Sequence, residues 1–345
     1  MWQIQPGSAA RRSGTLPGMF RDPLRATLRD LEGVLGRDLS PLRPLLRAAL
    51  AQGGVVGAAR GARQVALGLR GASGEAPGEL ASVSKPFTAA LAGALVGRGA
   101  LEWHAPLSAL GGPLRRVPRP VTAWGLATHT AGVPMHPARM GLTTFTHFYD
   151  PYNSMTPDEV VSSVRRWAQP PGRYRYSNLG AGLLGLACAA AAGEAFSAEG
   201  YARALRREVT GPLGLRVTPD RPLAPAGRVT GFGPLVGAGG LFGAATELLR
   251  FGEAHLAGHL GPAWLDARRV PGLPAGVGGI APGWFARGAL PGGVRWHDGV
   301  ARAARAGLGV HVESGAVVVV LARGGTPLLG AREAVPALLQ ALLGP

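Results

Sequence analysis

Ser82-Val83-Ser84-Lys85 sets a hydroxyl and an amine three residues apart where a loop runs into a helical pattern. On a helix, positions i and i+3 share a face, so the amine reaches the hydroxyl from one turn below. A lysine whose pKa is depressed can take the serine's proton and release an oxygen able to attack a carbonyl. At a helix start, free backbone N–H groups and the positive dipole end favour the charge that develops on the attacked oxygen. Pro86 falls in the first turn, where its missing N–H costs little. The spacing S-x-x-K is common by itself. Ser84 is a competing hydroxyl, but adjacency to Lys85 points its side chain away from the amine.

A second observation singles out the same lysine. Of 36 basic residues every one except Lys85 is arginine. On an exposed surface the two cations are nearly interchangeable, and a GC-rich coding bias would convert one to the other. Where an amine must lose its proton they are not, because guanidinium stays charged while a desolvated ammonium does not. Chance retention is the alternative.

Three further segments carry polar groups that such a pair could use. Tyr176-Ser177-Asn178 lies in PPGRYRYSNLGAGLLG, before a Gly-rich helix. A phenol near an ammonium can relay a proton, and an Asn offers donors and an acceptor to an ester or amide. Read alone, the same tripeptide is a turn with a helix N-cap. His297-Asp298-Gly299 ends the strand-like VRWH, and its glycine allows close backbone approach; a lone His on a strand edge is ordinarily structural. Thr128–Pro134, THTAGVP, reads as scaffold. His255 and His259 have the i, i+4 spacing of a metal clamp, but HLAGH lacks the glutamate of H-E-x-x-H and a third ligand, so packing is expected. Cys188 sits in a small-residue helical run and can form no internal disulfide.

These groups need elements to hold them. DPLRATLRDLEGVLG and SPLRPLLRAALAQGG read as helices, the second with Ser40 as N-cap and Gly53 as stop. VVGAAR and RQVALGLR read as a hairpin turning near Gly61. From Ser82 a helix runs to Gly97 or Gly99. Residues 100 to about 290 look mostly helical, with long Gly/Pro-rich connections. VRWH, AGLGVHVE and GAVVVVLARGG are strand patterns, and the apolar run Val317–Val320 belongs in the centre of a sheet. A closing helix, GAREAVPALLQALLG, keeps helical spacing despite Pro336. The expected fold is of the α/β (α+β) class: an antiparallel sheet built from both chain ends, flanked by helices, with an inserted all-helical lobe. Residues 1–20 read as a loose arm and 21–345 as one catalytic domain, its sheet part 21–80 and 285–345 and its helical lobe 81–284. A small-molecule site belongs between sheet and lobe.

The formal charge of +16 raises the question of nucleic acid or membrane surfaces. The arginines are dispersed singly or in pairs, with no basic stripe interleaved with aromatics, so no nucleic-acid partner is expected. No run of apolar residues suits a membrane span, and the amino terminus lacks an apolar stretch behind a basic start; a cytoplasmic protein without stable membrane insertion is the expectation.

In order and spacing, GELASVSKPFTAAL, LATHTAGVP, PGRYRYSN, the GPLGL and GAGGLFGAATELLRF segments and HDG together resemble the serine β-lactamase-related family. That family includes class C β-lactamases, D-alanyl-D-alanine carboxypeptidases and family VIII esterases; the resemblance covers roughly residues 45 to 343. It implies a β-lactamase/transpeptidase-like fold and hydrolysis through an acyl-enzyme without cofactor or metal. Carried over, it implies Ser82 as nucleophile, Lys85 as its partner and Tyr176 as general base and acid. Asn178, His297 and Gly299 would contact substrate, and the backbone N–H groups of Ser82 and Val300 would form the oxyanion hole. Penicillin-recognising members carry K-[ST]-G as third motif, whereas here the only lysine is elsewhere and the middle residue is acidic. A small neutral ester or amide is therefore expected over a β-lactam or a D-Ala-terminated peptide. A class C-like β-lactamase or carboxypeptidase is the first alternative, and a non-catalytic ligand-binding or sensor module on the same fold the second.

Overall fold

The computed structural model describes residues 22–152, 154–220, 229–290, 292–324 and 331–344; the expected arm at 1–20 lies outside them. Helix α1 (Pro23–Leu35) opens with Asp22 accepting the Leu24 N–H at 3.1 Å and Pro23 in its first turn, and ends on left-handed Gly36. Leu28, Leu31, Val34 and Leu35 form its buried stripe. The next segment departs from expectation. Ser40 is not an N-cap but lies in a 3₁₀ turn, Ser40–Leu42, and α2 spans Arg43–Ala49. Pro44 has no N–H to return to the Ser40 carbonyl, so Arg43 closes that turn instead.

Strands β1 (Gly54–Arg60) and β2 (Arg63–Leu69) form the expected hairpin. A short pair follows in β3 (Gly78–Glu79) and β4 (Phe242–Gly243). Between them lie α3 (Ser84–Gly97), α4 (Ala123–Ala127), α5 (Met140–Thr146), α6 (Pro157–Trp167), α7 (Asn178–Ala191), α8 (Ala198–Leu205) and α9 (Val236–Gly239). After α10 (Ala245–Leu256) come β5 (Gly279–Ala281), β6 (Trp284–Arg287), β7 (Val294–Val300), β8 (Ala304–His311), β9 (Ala316–Arg323) and α11 (Ala331–Leu342).

The main sheet runs β2-β1-β9-β8-β7-β6-β5, and every neighbouring pair is antiparallel. Its join is between the chain ends: Val56 faces Val320 and Ala58 faces Val318 across β1 and β9. Val317 and Val319 bury against the helical lobe, while Val318 and Val320 bury against α1, α2 and α11. A run apolar on both faces is what a covered central strand requires. Strands β5 and β6 lie in a stretch whose Gly- and Pro-broken sequence reads as connection, yet they extend the sheet to its far edge.

Within the lobe α3 is buried along most of its length, with Phe87 stacked on Phe251 of α10 at 3.7 Å between ring centroids. Helix α7 reaches its neighbours through small residues. A Cβ on Gly182 would lie 2.3 Å from a Leu235 methyl, so that close approach requires glycine.

Candidate active site

Ser82 sits in a 3₁₀ turn, Ala81–Val83, that feeds directly into α3. Ala81 has φ +46°, a left-handed conformation that a residue with a Cβ seldom adopts, and such turns concentrate at functional sites. The turn is held by the Leu80 N–H on the Leu241 carbonyl at 2.9 Å. The competing hydroxyl, Ser84, is fully buried and accepts the Leu241 N–H at 3.1 Å, which makes it part of the scaffold.

Lys85 is 3% exposed. Its Nζ lies 2.9 Å from Ser82 Oγ, 2.8 Å from Asn178 Oδ1 and 2.7 Å from the Ala238 carbonyl. It also stands 4.7 Å from the centre of the Tyr176 ring. Burial drives its pKa well below the ordinary lysine value, with the Asp298 carboxylate opposing that shift. The Tyr176 hydroxyl donates to Ser82 Oγ at 2.7 Å, and burial pushes its own pKa up. Four of the expected residues, Ser82, Lys85, Tyr176 and Asn178, thus converge on one oxygen and one nitrogen.

Tyr176 and Asn178 owe their places to the turn before α7. Ser177 caps that helix, its Oγ accepting the Gly180 N–H at 2.7 Å, so the N-cap and site readings of this tripeptide hold together. His129, at φ +58°, accepts the Ser177 N–H on Nδ1 at 3.2 Å and the Arg175 N–H on its carbonyl at 2.8 Å. Its ring lies 4.5 Å from that of Tyr176. The 128–134 segment is therefore a clamp on the Tyr176 turn.

On the other wall, β7 pairs with β6 only as far as Trp296, leaving His297–Val300 unpaired on that side. A Cβ on Gly299 would lie 2.5 Å from the Leu80 carbonyl and 3.0 Å from Ser82 N. Glycine is what lets this strand end lie against the Ser82 turn. His297 is placed behind the cleft wall rather than in it. It is 2% exposed, its Nδ1 pairs with the Asp298 carbonyl at 2.8 Å, and its ring lies 5.1 Å from Phe285 and 6.2 Å from Tyr176. Its Nε2 is buried without a partner, and burial with the nearby Lys85 charge lowers its pKa to about 3, so the ring is neutral. Asp298 and Val300 line the cleft instead.

That cleft, about 550 Å³, is lined by Ser82, Tyr176 and Asn178 and by apolar side chains that include Met135, Met140, Phe148 and Phe232. Burial raises the pKa of Asp298, and the Lys85 charge opposes it. Arg302 and the buried Arg305 also line the cleft. The Arg302 Nε donates to the Phe148 carbonyl at 2.9 Å, and Arg305 donates to the Ala304 carbonyl at 2.7 Å. The sequence held no signal for Tyr152, His136 or the Ala238 carbonyl. The first two sit between recognisable elements, and a backbone oxygen leaves no mark in residue type. The two spaced histidines part: His255 packs against Phe251, Trp264 and Trp284, and His259 is exposed. Cys188 is buried in α7 with its thiol pKa pushed up.

The Beta-lactamase family model matches residues 42–343. The chain belongs to that family, and with it to the serine hydrolases of this fold. The D-alanyl-D-alanine-carboxypeptidase/endopeptidase AmpH of Escherichia coli (strain K12) is 29% identical over 194 residues, 51% of this chain and 48% of that protein. The chain thus matches about half the length of this curated relative. Among solved structures, a Beta-Lactamase/D-Alanine Carboxypeptidase from Pseudomonas syringae superposes with a TM-score of 0.70 at 17% identity, covering 89% of this chain and 99% of that one. A class C beta lactamase from Rhodobacter sphaeroides gives 0.64 at 22%, covering 86% and 99%. A D-stereospecific amidohydrolase from Streptomyces sp. gives 0.68 at 20%, covering 88% and 98%. These structures share the fold. Among the described residues no helix is long and apolar enough to cross a membrane.

Proposed function

We propose that the protein hydrolyses small carboxylic esters or amides through an acyl-enzyme on Ser82. The observation that carries this is the bracketing of one hydroxyl: Ser82 Oγ lies between Lys85 Nζ at 2.9 Å and Tyr176 OH at 2.7 Å, at the wall of an open cleft. A neutral lysine has two N–H groups, which the Ala238 carbonyl and Asn178 Oδ1 take up, so its lone pair is left for the Ser82 proton. Burial holds Lys85 toward that neutral form.

In the proposed cycle, Ser82 Oγ attacks the substrate carbonyl carbon while its proton passes to Lys85. The oxyanion is met by the backbone N–H groups of Ser82 and Val300. Tyr176 gives its proton to the leaving oxygen or nitrogen and recovers one from Lys85, since a phenol with a raised pKa does not stay ionised beside an ammonium. The carbonyl reforms as the leaving group departs. Water then attacks the acyl carbon by the reverse proton route and frees Ser82. A fluorophosphonate that labels serine hydrolases should form an adduct mapping to Ser82. Hydrolytic activity persisting in Ser82→Ala would overturn the assignment.

The acid in the third motif bears on substrate. Asp298 lines the cleft, and its carboxylate disfavours a substrate carboxylate close to Ser82. Together with the Met and Phe wall this supports an uncharged ester or amide over a β-lactam. The second reading is a β-lactamase or D-Ala-directed carboxypeptidase, favoured by Arg302 in the cleft lining, a cation that suits a carboxylate. Rates on a short-chain aryl ester and a chromogenic cephalosporin separate the two: the ester should be the better substrate, and faster cephalosporin turnover selects the second reading.

A further inference from the structure

The large apolar side chains that this protein leaves in water are gathered around one place. Six stand well exposed among the described residues, and of these Met135, Phe148 and Val300 line the cleft. Leu142 and Phe145, 78% and 87% exposed, lie between Met135 and Phe148 on the short helix α5. The sixth, Trp167, ends α6, and the chain leaving that helix is bonded beside the same segment, Gln169 N–H on the Gly132 carbonyl at 2.9 Å. Single exposed apolar residues are ordinary, whereas a cluster at the mouth of a cleft calls for a partner that covers it. Leu142 and Phe145 are three positions apart and project from one side of α5. Met140 of the same helix turns into the cleft lining, and the segment is pinned by the Gly231 N–H on the Tyr149 carbonyl at 2.7 Å.

The surroundings of these side chains are basic. The sequence has no acid from Val133 to Tyr149 and none from Val160 to Gly193, while the two stretches hold Arg139, Arg165, Arg166, Arg173 and Arg175. They meet where the Met135 carbonyl accepts the Asn178 N–H at 3.0 Å. Arg139 pairs with Glu159 at 3.1 Å, and the other four are exposed. Arg302 adds a guanidinium 3.9 Å from the centre of the Phe148 ring. Apolar tips among cations match an acidic lipid surface, whose acyl boundary takes the apolar groups and whose headgroups take the arginines. A second copy fits poorly, because two such rims on chains of charge +16 would repel. A folded partner would need a groove shaped to the two projecting side chains, whereas fluid lipid needs none. We propose that α5 docks the protein on an anionic membrane surface, with Leu142 and Phe145 entering the acyl boundary, arginines meeting the headgroups and the cleft mouth at the interface. This is peripheral contact, a few side chains deep, and it stands whether or not the cleft hydrolyses esters.

The test sediments the full chain with phosphatidylcholine vesicles, with and without about 30% phosphatidylglycerol. Binding should require the anionic lipid and weaken as salt rises to about 0.5 M, where charges are screened beyond a few ångströms. A chain this basic adheres to acidic vesicles in part by charge alone, so the deciding variant leaves the charge untouched. Leu142→Ser combined with Phe145→Ser should weaken binding at least about tenfold. Its thermal midpoint should match the parent's, because both side chains already stand in water. Phe145→Cys can carry an environment-sensitive fluorophore, since Cys188 is buried and does not take the label. That probe should shift to the blue on anionic vesicles, and the same probe on the exposed Gln64→Cys of β2 should not. Equal binding to neutral vesicles, binding undiminished in the double variant, or a Phe145→Cys probe that stays in water overturns the proposal. So does a dimer in sedimentation equilibrium that the double variant abolishes, which makes a second copy the occupant.

Discussion

Lys85 makes two contacts with oxygens that can only accept, and one with the hydroxyl it is proposed to deprotonate. Replacing it by arginine keeps a cation and removes the capacity to lose a proton. Lys85→Arg should therefore lower kcat/KM by at least about 10³-fold, a loss in the range seen when an activating base is removed. Steady-state rates check this, and activity within tenfold of the parent would reject Lys85 as the base. The pH profile carries a sign. Acylation needs neutral Lys85, so kcat/KM should rise with pH through the folded lysine's pKa, which burial sets below the ordinary value. The Asp298 carboxylate stabilises the ammonium and so holds that pKa up. Asp298→Asn should move the ascending limb toward lower pH, whereas a limb that moves to higher pH or stays in place would show that it belongs to another group. Much of this chemistry was legible in residue types, because a sole lysine three residues after a serine is visible in one dimension. The places of Asp298 and His297 were not. A sheet edge exposes alternate residues to opposite sides, and nothing in VRWHDGV says which side the cleft takes.

At the scale of elements, the site depends on how closely β7 lies against the turn that bears Ser82. Gly299 makes the contact, and an added Cβ would meet the Leu80 carbonyl at 2.5 Å, the Ala81 side chain at 3.0 Å and Ser82 N at 3.0 Å. These are mainly backbone atoms of a tight turn, which cannot swing aside as a flexible side chain can. Gly299→Ala should force β7 outward and separate the two proposed oxyanion donors. Loss of one such donor costs about 10²–10³-fold in kcat. The variant should still form the Lys85–Ser82 contact and take up a fluorophosphonate, only more slowly. Unchanged kcat would mean that the Val300 N–H does not serve the oxyanion. The helices and strands around this contact were largely readable: α1, α6 and α7 follow their apolar spacing and caps, α3 follows its apolar spacing, and the β1–β2 hairpin and β7–β9 follow their strand patterns. Those that were not readable have a shared cause. Strands β5 and β6 are three and four residues long and are set among glycines, too short for alternation to be seen, and they are held by pairing, β6 on β7 and β5 on β6. The Ser40 cap failed for a local reason, the second proline at position 44, which chain-level periodicity does not register.

Across the whole molecule, the sheet divides two tasks. Its lobe-side face supports α3 and α10 and the cleft, whereas its far face is closed by α1, α2 and α11. The chain ends supply both the inner β1–β9 strand pair and the helices that cover the far face, so that face is assembled from residues distant in sequence. Leu338 and Leu339 of α11 are fully buried there, in one cluster with Val318 and Val320 of β9. Removing such a side chain loses its transfer free energy and leaves a cavity, together about 2–5 kcal/mol. Leu338→Ala should accordingly lower the thermal midpoint by several degrees while kcat on an ester, measured well below that midpoint and corrected for folded protein, stays within about twofold of the parent. Calorimetry and steady-state kinetics on the same preparation check both halves. A proportionate fall in kcat at low temperature would mean that the far face is mechanically coupled to the cleft. Little coupling is expected, because the elements that hold Ser82, Tyr176 and Asn178 are tied directly to one another by the Leu80–Leu241, His129–Ser177 and Gly299 contacts, whereas α11 shares with Tyr176 only the far-face cluster.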